Sequence, residues 1–225
     1  DVEFGLEAEL EALEEEDSFE ELEEIDEEPD YIDEDETEEF DEVDVPISSN
    51  ILFICQEMPK LKIAAEICED LWAPLPPSTH HALAGATVIA NLSASDETIG
   101  KADYRRALVC QQSARLLCTY LYADAGHGES TTDMVFAAHD LICENGALLA
   151  EAKPFGTGYA CTELDLGRMV SERCRSTTFR PESEGYETVV FHLPLREVPL
   201  TRHVSPTPFV PADGAARAER CELIL

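Results

Sequence analysis

The chain has 225 residues and a formal net charge of −34, from 49 Asp and Glu against 15 Lys and Arg. So acidic a surface repels phosphate backbones, which excludes nucleic acid as a partner, and no apolar run reaches the roughly 18–20 residues needed to cross a bilayer. The charge is unevenly placed. Residues 1–44 hold 26 of the acids, the first basic residue is Lys60, and the 23 remaining acids face all 15 cations. The acidity therefore belongs to the N-terminal segment, and the rest has the balance of an ordinary globular surface.

Residues 1–44 form an acidic low-complexity segment. Phe4, Leu6, Leu10, Leu13, Phe19, Leu22 and Ile25 recur at roughly helical spacing. Like-charge repulsion without cations opposes a stable helix, Pro29 ends any transient one, and the segment is expected to be disordered, as a solvated insertion or an acidic docking segment. Order begins near Val45. Short apolar runs at 51–55 and 63–67 have strand length, 82–85 ends a helix, and 87–92 reads as a buried strand. A helix is predicted from Lys101 to about Leu117 and a strand over 118–123. Two further strands, 134–142 and 147–150, flank Asn145-Gly146, a type I′ hairpin signal. A strand at 162–166, a helix to about Cys174 and a strand at 188–192 complete an α/β pattern with a mixed sheet.

The eight cysteines include no C-x-x-C pair, and no Cys or His cluster has zinc-ligand spacing. They read as reduced thiols of a cytosolic, cytoplasmic protein. The adjacent His80 and His81 read as solvated loop or helix surface.

Cys68 stands where the apolar run 63–67 stops and polar residues begin. A cysteine at a strand-to-helix turn has an exposed thiol and nearby backbone N–H groups that stabilise a thiolate and a developing oxyanion. Any strand-end cysteine fits that geometry, and a structural cysteine is the commoner explanation of it.

The surrounding motifs add to this. E-I-C-E-D-L-W at 66–72, P-L-P-P-S at 74–78, L-A-G-A-T-V-I-A-N-L-S-A-S at 83–95 and T-I-G-K-A-D-Y-R-R at 98–106 follow one another. Q-S-A-R at 112–115, G-E-S-T-T-D at 128–133 and E-N-G-A-L-L-A at 144–150 come next, and P-T-P-F-V-P closes the series at 206–211. In this order they resemble the nitrilase-type (carbon-nitrogen hydrolase) glutaminase domain of glutamine-dependent NAD synthetases, over about residues 45–225. The resemblance implies a nitrilase-like four-layer α-β-β-α sandwich, here incomplete, over residues 45–211, with 212–225 starting a linker or helix toward a synthetase domain.

It also implies an enzyme of the glutamine-hydrolysing NAD synthase (ligase) family. Cys68 would be the nucleophile that forms a glutamyl thioester, releasing ammonia for ATP-dependent amidation of nicotinic acid adenine dinucleotide to NAD. Ser95 and Lys101 fall where the family lines the glutamine pocket, and Lys101 would attract the substrate carboxylate. Read without the resemblance, Lys101 is a surface residue at a helix N-terminus. Glu69 either shapes the site or is a first-turn residue satisfied by the helix dipole. No cofactor is implied in this chain, since ATP and magnesium belong to the family's synthetase domain. Implied partners are glutamine, the synthetase domain and homo-oligomer copies.

Two catalytic groups are missing from the pattern. The family's general-base glutamate and oxyanion lysine precede the cysteine, the lysine within K-x-x-L-P-x-Y, and no such motif occurs here. Lys60 and Lys62 lie too near Cys68, no one N-terminal acid stands out as a base, and Glu66 shares a strand face with Cys68 without a defined role. The chain is expected to be a fragment, inactive alone, of an active parent; the alternative is a degenerate copy. Two other functions remain open: a catalytically incomplete scaffold whose acidic segment binds a basic partner, and a stand-alone amidase.

Overall fold

The computed structural model describes residues 47–126, 128–207 and 209–224; the acidic segment 1–44, with its expected disorder, lies outside the described residues. The described residues form seven strands, four α-helices and one 3-10 turn. In chain order these are β1 (Ile51–Cys55), β2 (Lys62–Ile67), the 3-10 turn Cys68–Trp72, α1 (Pro77–Ala84), β3 (Val88–Ser93), α2 (Lys101–Leu116) and β4 (Thr119–Asp124). They continue with β5 (Leu141–Glu144), β6 (Ala147–Glu151), α3 (Leu166–Arg175), β7 (Glu187–Phe191) and α4 (Gly214–Ile224). The strands make one mixed sheet in the order β6-β5-β4-β3-β2-β1-β7. β2, β3 and β4 run parallel at its centre, and β1 pairs antiparallel with β2 but parallel with β7. This is an α/β fold with a mixed sheet, as the sequence pattern implies; the described residues form one sheet.

Strand alternation decides which residues meet the helices. The register Ala64↔Ile89↔Tyr120 and Glu66↔Asn91↔Tyr122 places these side chains on one face, where they are buried. α2 covers this face with Arg105, Val109, Gln112, Ser113 and Leu116, a helical stripe at i, i+4, i+7, i+8 and i+11. The apolar periodicity identifies Val109, Ser113 and Leu116 in that stripe; Arg105 and Gln112 occupy it because each has a buried polar partner. From the opposite face Phe53, Ile67 and Leu92 project into solvent.

The β5–β6 hairpin turns on Asn145 (φ 47°) and Gly146 (φ 86°), the two positive φ values that a type I′ turn demands. A Cβ on Gly146 would lie 2.9 Å from the Ala114 Cβ, so the turn also needs glycine to dock on α2. Three expectations are corrected. Residues 134–140 are not part of the hairpin strand: Phe136 makes a single bridge with Asp96, and Ala138 (φ 50°) kinks the chain while the Asp140 carboxylate accepts from Asp124 N. Residues 162–166 form no strand. The Asp165 N–H donates to Glu144 Oε2 (2.6 Å) and the Asp165 carboxylate caps α3 by accepting from Arg168 N (2.8 Å), so side chains take the place of a ladder. His81 is not at the surface but buried in α1, with Nδ1 2.7 Å from the Tyr186 hydroxyl; burial holds its pKa below the ordinary value. The eight cysteines are free thiols, with the Cys110 and Cys143 sulfurs 2.9 Å apart.

One side chain ties off two helix ends. The Arg173 guanidinium on α3 donates to the carbonyls of Leu116 (3.0 Å) and Leu117 (3.0 Å) at the end of α2, and to Ala82 (3.4 Å) and Ala86 (2.7 Å) at the end of α1. They lie at or just beyond the negative ends of two macrodipoles, where helices leave carbonyls short of donors; Ala82 O also accepts from the capping Gly85 N–H (3.1 Å). The Phe179 ring packs on the guanidinium at 4.8 Å. At the other end of α2, Arg106 grips the Glu151 carboxylate at the end of β6 with Nε and Nη2 (2.5–3.2 Å). The same carboxylate faces His139 Nε2 at 2.6 Å. Arg105 Nη1 can only donate to His139 Nδ1 (2.9 Å), so the ring proton sits on Nε2 and is donated to Glu151. Arg106 first, and His139 with it, hold the Glu151 carboxyl below its ordinary pKa.

Two outcomes are expected. Arg173→Met, which removes the donors at similar bulk, should cost roughly 2–3 kcal/mol, the scale of buried carbonyls left unpaired, and lower the urea midpoint at unchanged slope. Arg173→Lys should recover little of this, because an ammonium cannot reach the same carbonyls with a fixed fork. A carboxyl whose folded pKa is depressed contributes stability above its unfolded pKa and loses it as pH falls. The urea midpoint should therefore decline below about pH 5, and Glu151→Gln should be less stable at neutral pH with a shallower acid decline.

Candidate active site at the Cys68 turn

At the end of β2 the backbone reverses through Cys68, which takes a left-handed conformation (φ 46°). For a residue with a Cβ this costs roughly 1–2 kcal/mol, and it persists because both sides of the turn are held. Asp70 Oδ2 accepts from Ile67 N at 2.8 Å, and Asn91 Nδ2 reaches the Cys68 carbonyl at 3.4 Å. The thiol is half-buried. A strained strand-to-helix turn that presents a nucleophilic side chain is the geometry of a nucleophile elbow.

Beneath the turn lies a buried polar network. Glu66, 2% exposed, accepts from Ser78 N at the start of α1 (2.7 Å) and from the Tyr120 hydroxyl of β4. Asn91 Nδ2 also donates to the Tyr120 oxygen at 3.1 Å, linking this carboxylate to the Cys68 turn. Burial, and then the Glu66 charge, push the Tyr120 phenol far above its ordinary pKa, so it remains a donor. Gln112 of α2 donates to the Ser78 hydroxyl at 2.9 Å, and α1, α2 and the sheet meet there.

Ser93, at the end of β3, places its hydroxyl 3.6 Å from Cys68 Sγ and 2.6 Å from the Tyr122 hydroxyl. Tyr122 is 2% exposed, and burial raises its pKa. Two residues on, Ser95 is also buried. Its N–H donates to Asp124 Oδ1 (2.9 Å), and Arg105 Nη2 lies 3.5 Å from its hydroxyl. Arg105 is fully buried, with Nη1 on Glu97 (2.9 Å) and His139 and Nη2 3.9 Å from Asp124 Oδ2. Burial raises the Asp124 pKa, although the Ser95 N–H and the Arg105 charge oppose it.

Lys101 opens α2 and bonds the Asp96 carboxylate (2.7 Å) and carbonyl (2.6 Å), which holds the Asp96 carboxyl below its ordinary pKa. The Lys101 Nζ also sits 5.6 Å from the centre of the Trp72 ring, which stacks on Tyr104 at 5.4 Å. Trp72 ends the 3-10 turn that Cys68 begins, so the packing draws Lys101 toward that turn.

Of the three site residues singled out in the sequence, Cys68 occupies the strained turn, Lys101 is joined to it through Trp72, and Ser95 sits one strand-repeat beyond the serine that touches the thiol. Glu66 does share the sheet face beneath Cys68, but both its oxygens are taken by Ser78 and Tyr120. Sequence reasoning passed over Asn91, Ser93, Tyr120, Tyr122 and Arg105. The available signal was polar side chains recurring at every second position within strands otherwise read as buried, a pattern that demands partners.

No family model matches the chain. Among curated proteins, it is 43% identical over 189 residues to the glutamine-dependent NAD(+) synthetase of Mycobacterium tuberculosis (strain H37Rv), covering 79% of this chain and 28% of that protein. With the protein of the same name from Mycobacterium leprae it shares 42% identity over 187 residues, 78% of this chain and 28% of the relative. The chain thus spans less than a third of the length of these relatives. Among solved structures, a carbon-nitrogen hydrolase from Helicobacter pylori G27 aligns with a TM-score of 0.48 at 16% identity, covering 59% of this chain and 48% of that one. By sequence, the chain is a homologue of part of the glutamine-dependent NAD(+) synthetases.

Proposed function

We propose that this chain carries the nucleophile half of a glutaminase site, which hydrolyses the side-chain amide of glutamine so that ammonia can pass to an adenylated nicotinic acid adenine dinucleotide. The observation that carries the reading is the strained, half-buried Cys68 at a strand-to-helix turn, in a chain that is a homologue of glutamine-dependent NAD(+) synthetases.

In this reading the Cys68 sulfur attacks the amide carbon, the amide nitrogen leaves as ammonia after protonation, and water cleaves the resulting thioester to glutamate. Backbone N–H groups that follow Cys68 in the 3-10 turn are positioned to donate to the tetrahedral oxyanion. Lys101 supplies positive charge for the substrate carboxylate in exchange for its Asp96 contact, and Ser95, held by Asp124 and Arg105, lines the same corner. The chemistry also needs a general base for the thiol and the water, and a cation at the oxyanion. Neither is assigned to a residue of this chain, so the 225 residues alone should hydrolyse little or no glutamine. The family's ATP and magnesium would act at its synthetase portion, and no residue described here is assigned to hold them.

The second reading, a catalytically incomplete scaffold, is favoured by one observation: Lys101 is already committed to Asp96 and Ser95 is buried. A diazo-ketone analogue of glutamine separates the two. In protein expressed from its whole reading frame, the analogue should alkylate Cys68, and Cys68→Ala should abolish labelling and lower glutamine-dependent turnover by at least about 10⁴-fold, the scale of removing a nucleophile. Labelling of a different cysteine, or equal labelling of Cys68→Ala, would overturn the assignment.

A further inference from the structure

The hydroxyl pair behind the thiol has no role in the chemistry described above, yet it is the polar feature that touches the sulfur. We infer that Ser93, aimed by Tyr122, is a catalytic hydrogen-bond donor that holds Cys68 in its reactive thiolate form. This rests on the reading of Cys68 as the nucleophile.

The argument is one of proton placement. Ser93 Oγ lies 2.6 Å from the Tyr122 hydroxyl and 3.6 Å from Cys68 Sγ. Ser93 has one proton. If it donates to Tyr122, the sulfur loses its donor; if Tyr122 donates to Ser93, the serine proton points at sulfur. The second arrangement gives both hydroxyl protons an acceptor, Ser93 Oγ for Tyr122 and Cys68 Sγ for Ser93, and burial, by raising the Tyr122 pKa, is consistent with a phenol that keeps its proton. Both residues are at least nine-tenths buried, so bulk water does not compete for these bonds. The hydroxyls come from adjacent parallel strands, and their spacing is set by the ladder that pairs Asn91 with Tyr122.

The surroundings make such a donor necessary. The charged and titratable groups around the turn are Glu66, Glu69 and Asp70 on its own segment, Tyr120 and Tyr122 from β4, Lys101 from α2 across Trp72 and, against Tyr122, Arg105 from α2 (5.9 Å from the ring centre) with Asp124. These three carboxylates of the turn's own segment, against cations already paired (Lys101 with Asp96, Arg105 with Glu97), disfavour a further anion. A fixed donor to the sulfur offsets this, because hydrogen bonds to charged groups are the stronger kind.

The test uses iodoacetamide on the 225-residue chain, with the Cys68 adduct quantified by peptide mass spectrometry and exposed Cys161 as the internal control. Ser93→Ala should slow Cys68 alkylation about tenfold at fixed pH, equivalent to a displacement of the pH–rate curve by about one unit upward. Tyr122→Phe should slow it by a smaller factor, and Ser93→Thr, which keeps the hydroxyl, should restore most of the rate. Wild-type rates in Ser93→Ala or in Tyr122→Phe would overturn the inference, as would a Ser93→Thr protein as slow as Ser93→Ala. If Ser93→Ala does not fold, Tyr122→Phe carries the test. Glutamine is not used, so a failure of the glutamine analogue to label Cys68 would defeat the glutaminase reading while leaving this result to stand separately.

Discussion

The Glu66 carboxylate is the point on which the site depends. A carboxyl buried without a cation is costly unless hydrogen-bonded, and among the described residues this one accepts from the Ser78 N–H at the positive end of α1 and from the Tyr120 hydroxyl. Each donor comes from a different element: Ser78 from α1 and Tyr120 from β4, which in turn meets Asn91 of β3 and, through it, the Cys68 carbonyl. Satisfying one charge therefore sets the position of a helix, the spacing of three strands and the conformation of the turn. The network is satisfied at Glu66 only when all of these are in place, which makes it a specifying interaction more than a source of net stability.

The two helices on that face are held at both ends by different physics. At their C-termini, Arg173 donates to carbonyls of both helix ends at once, and one planar fork ties α1 to α2. Near its N-terminus, α2 is anchored by Arg105 and Arg106, which face inward and outward respectively and meet through His139 and Glu151. Because Arg105 also reaches toward Ser95 and Asp124, the anchoring of α2 and the shape of the corner near the thiol are one arrangement.

The strain at Cys68 fits within this frame. A left-handed residue is tolerated where neighbouring bonds over-determine the backbone, and here the Asp70 carboxylate fixes one side of the turn and the Asn91 amide the other. The consequence is chemical: the thiol leaves the sheet half-buried, with the Ser93 hydroxyl behind it.

Much of this was legible in the sequence. The strands at 51–55, 63–67 and 87–92, the helix from Lys101, and the Asn145-Gly146 hairpin followed from periodicity and turn chemistry, which are local properties of consecutive residues. The family was legible too, because its motifs are short and contiguous around Cys68. The expected strand at 162–166 failed for a partly non-local reason: the Asp165 N–H found the carboxylate of Glu144, 21 residues away, and the Asp165 side chain turned to cap α3 through Arg168 N. His81 was misplaced because its partner, Tyr186, lies 105 residues away. The same limit applies to Ser93, Asn91, Tyr120 and Tyr122, whose polarity within buried strands was visible but whose partners were not. Sequence by itself determined most of the elements, the nucleophile candidate and its family resemblance; tertiary structure decided which polar groups surround that nucleophile, because strand register brings together residues that no spacing rule connects.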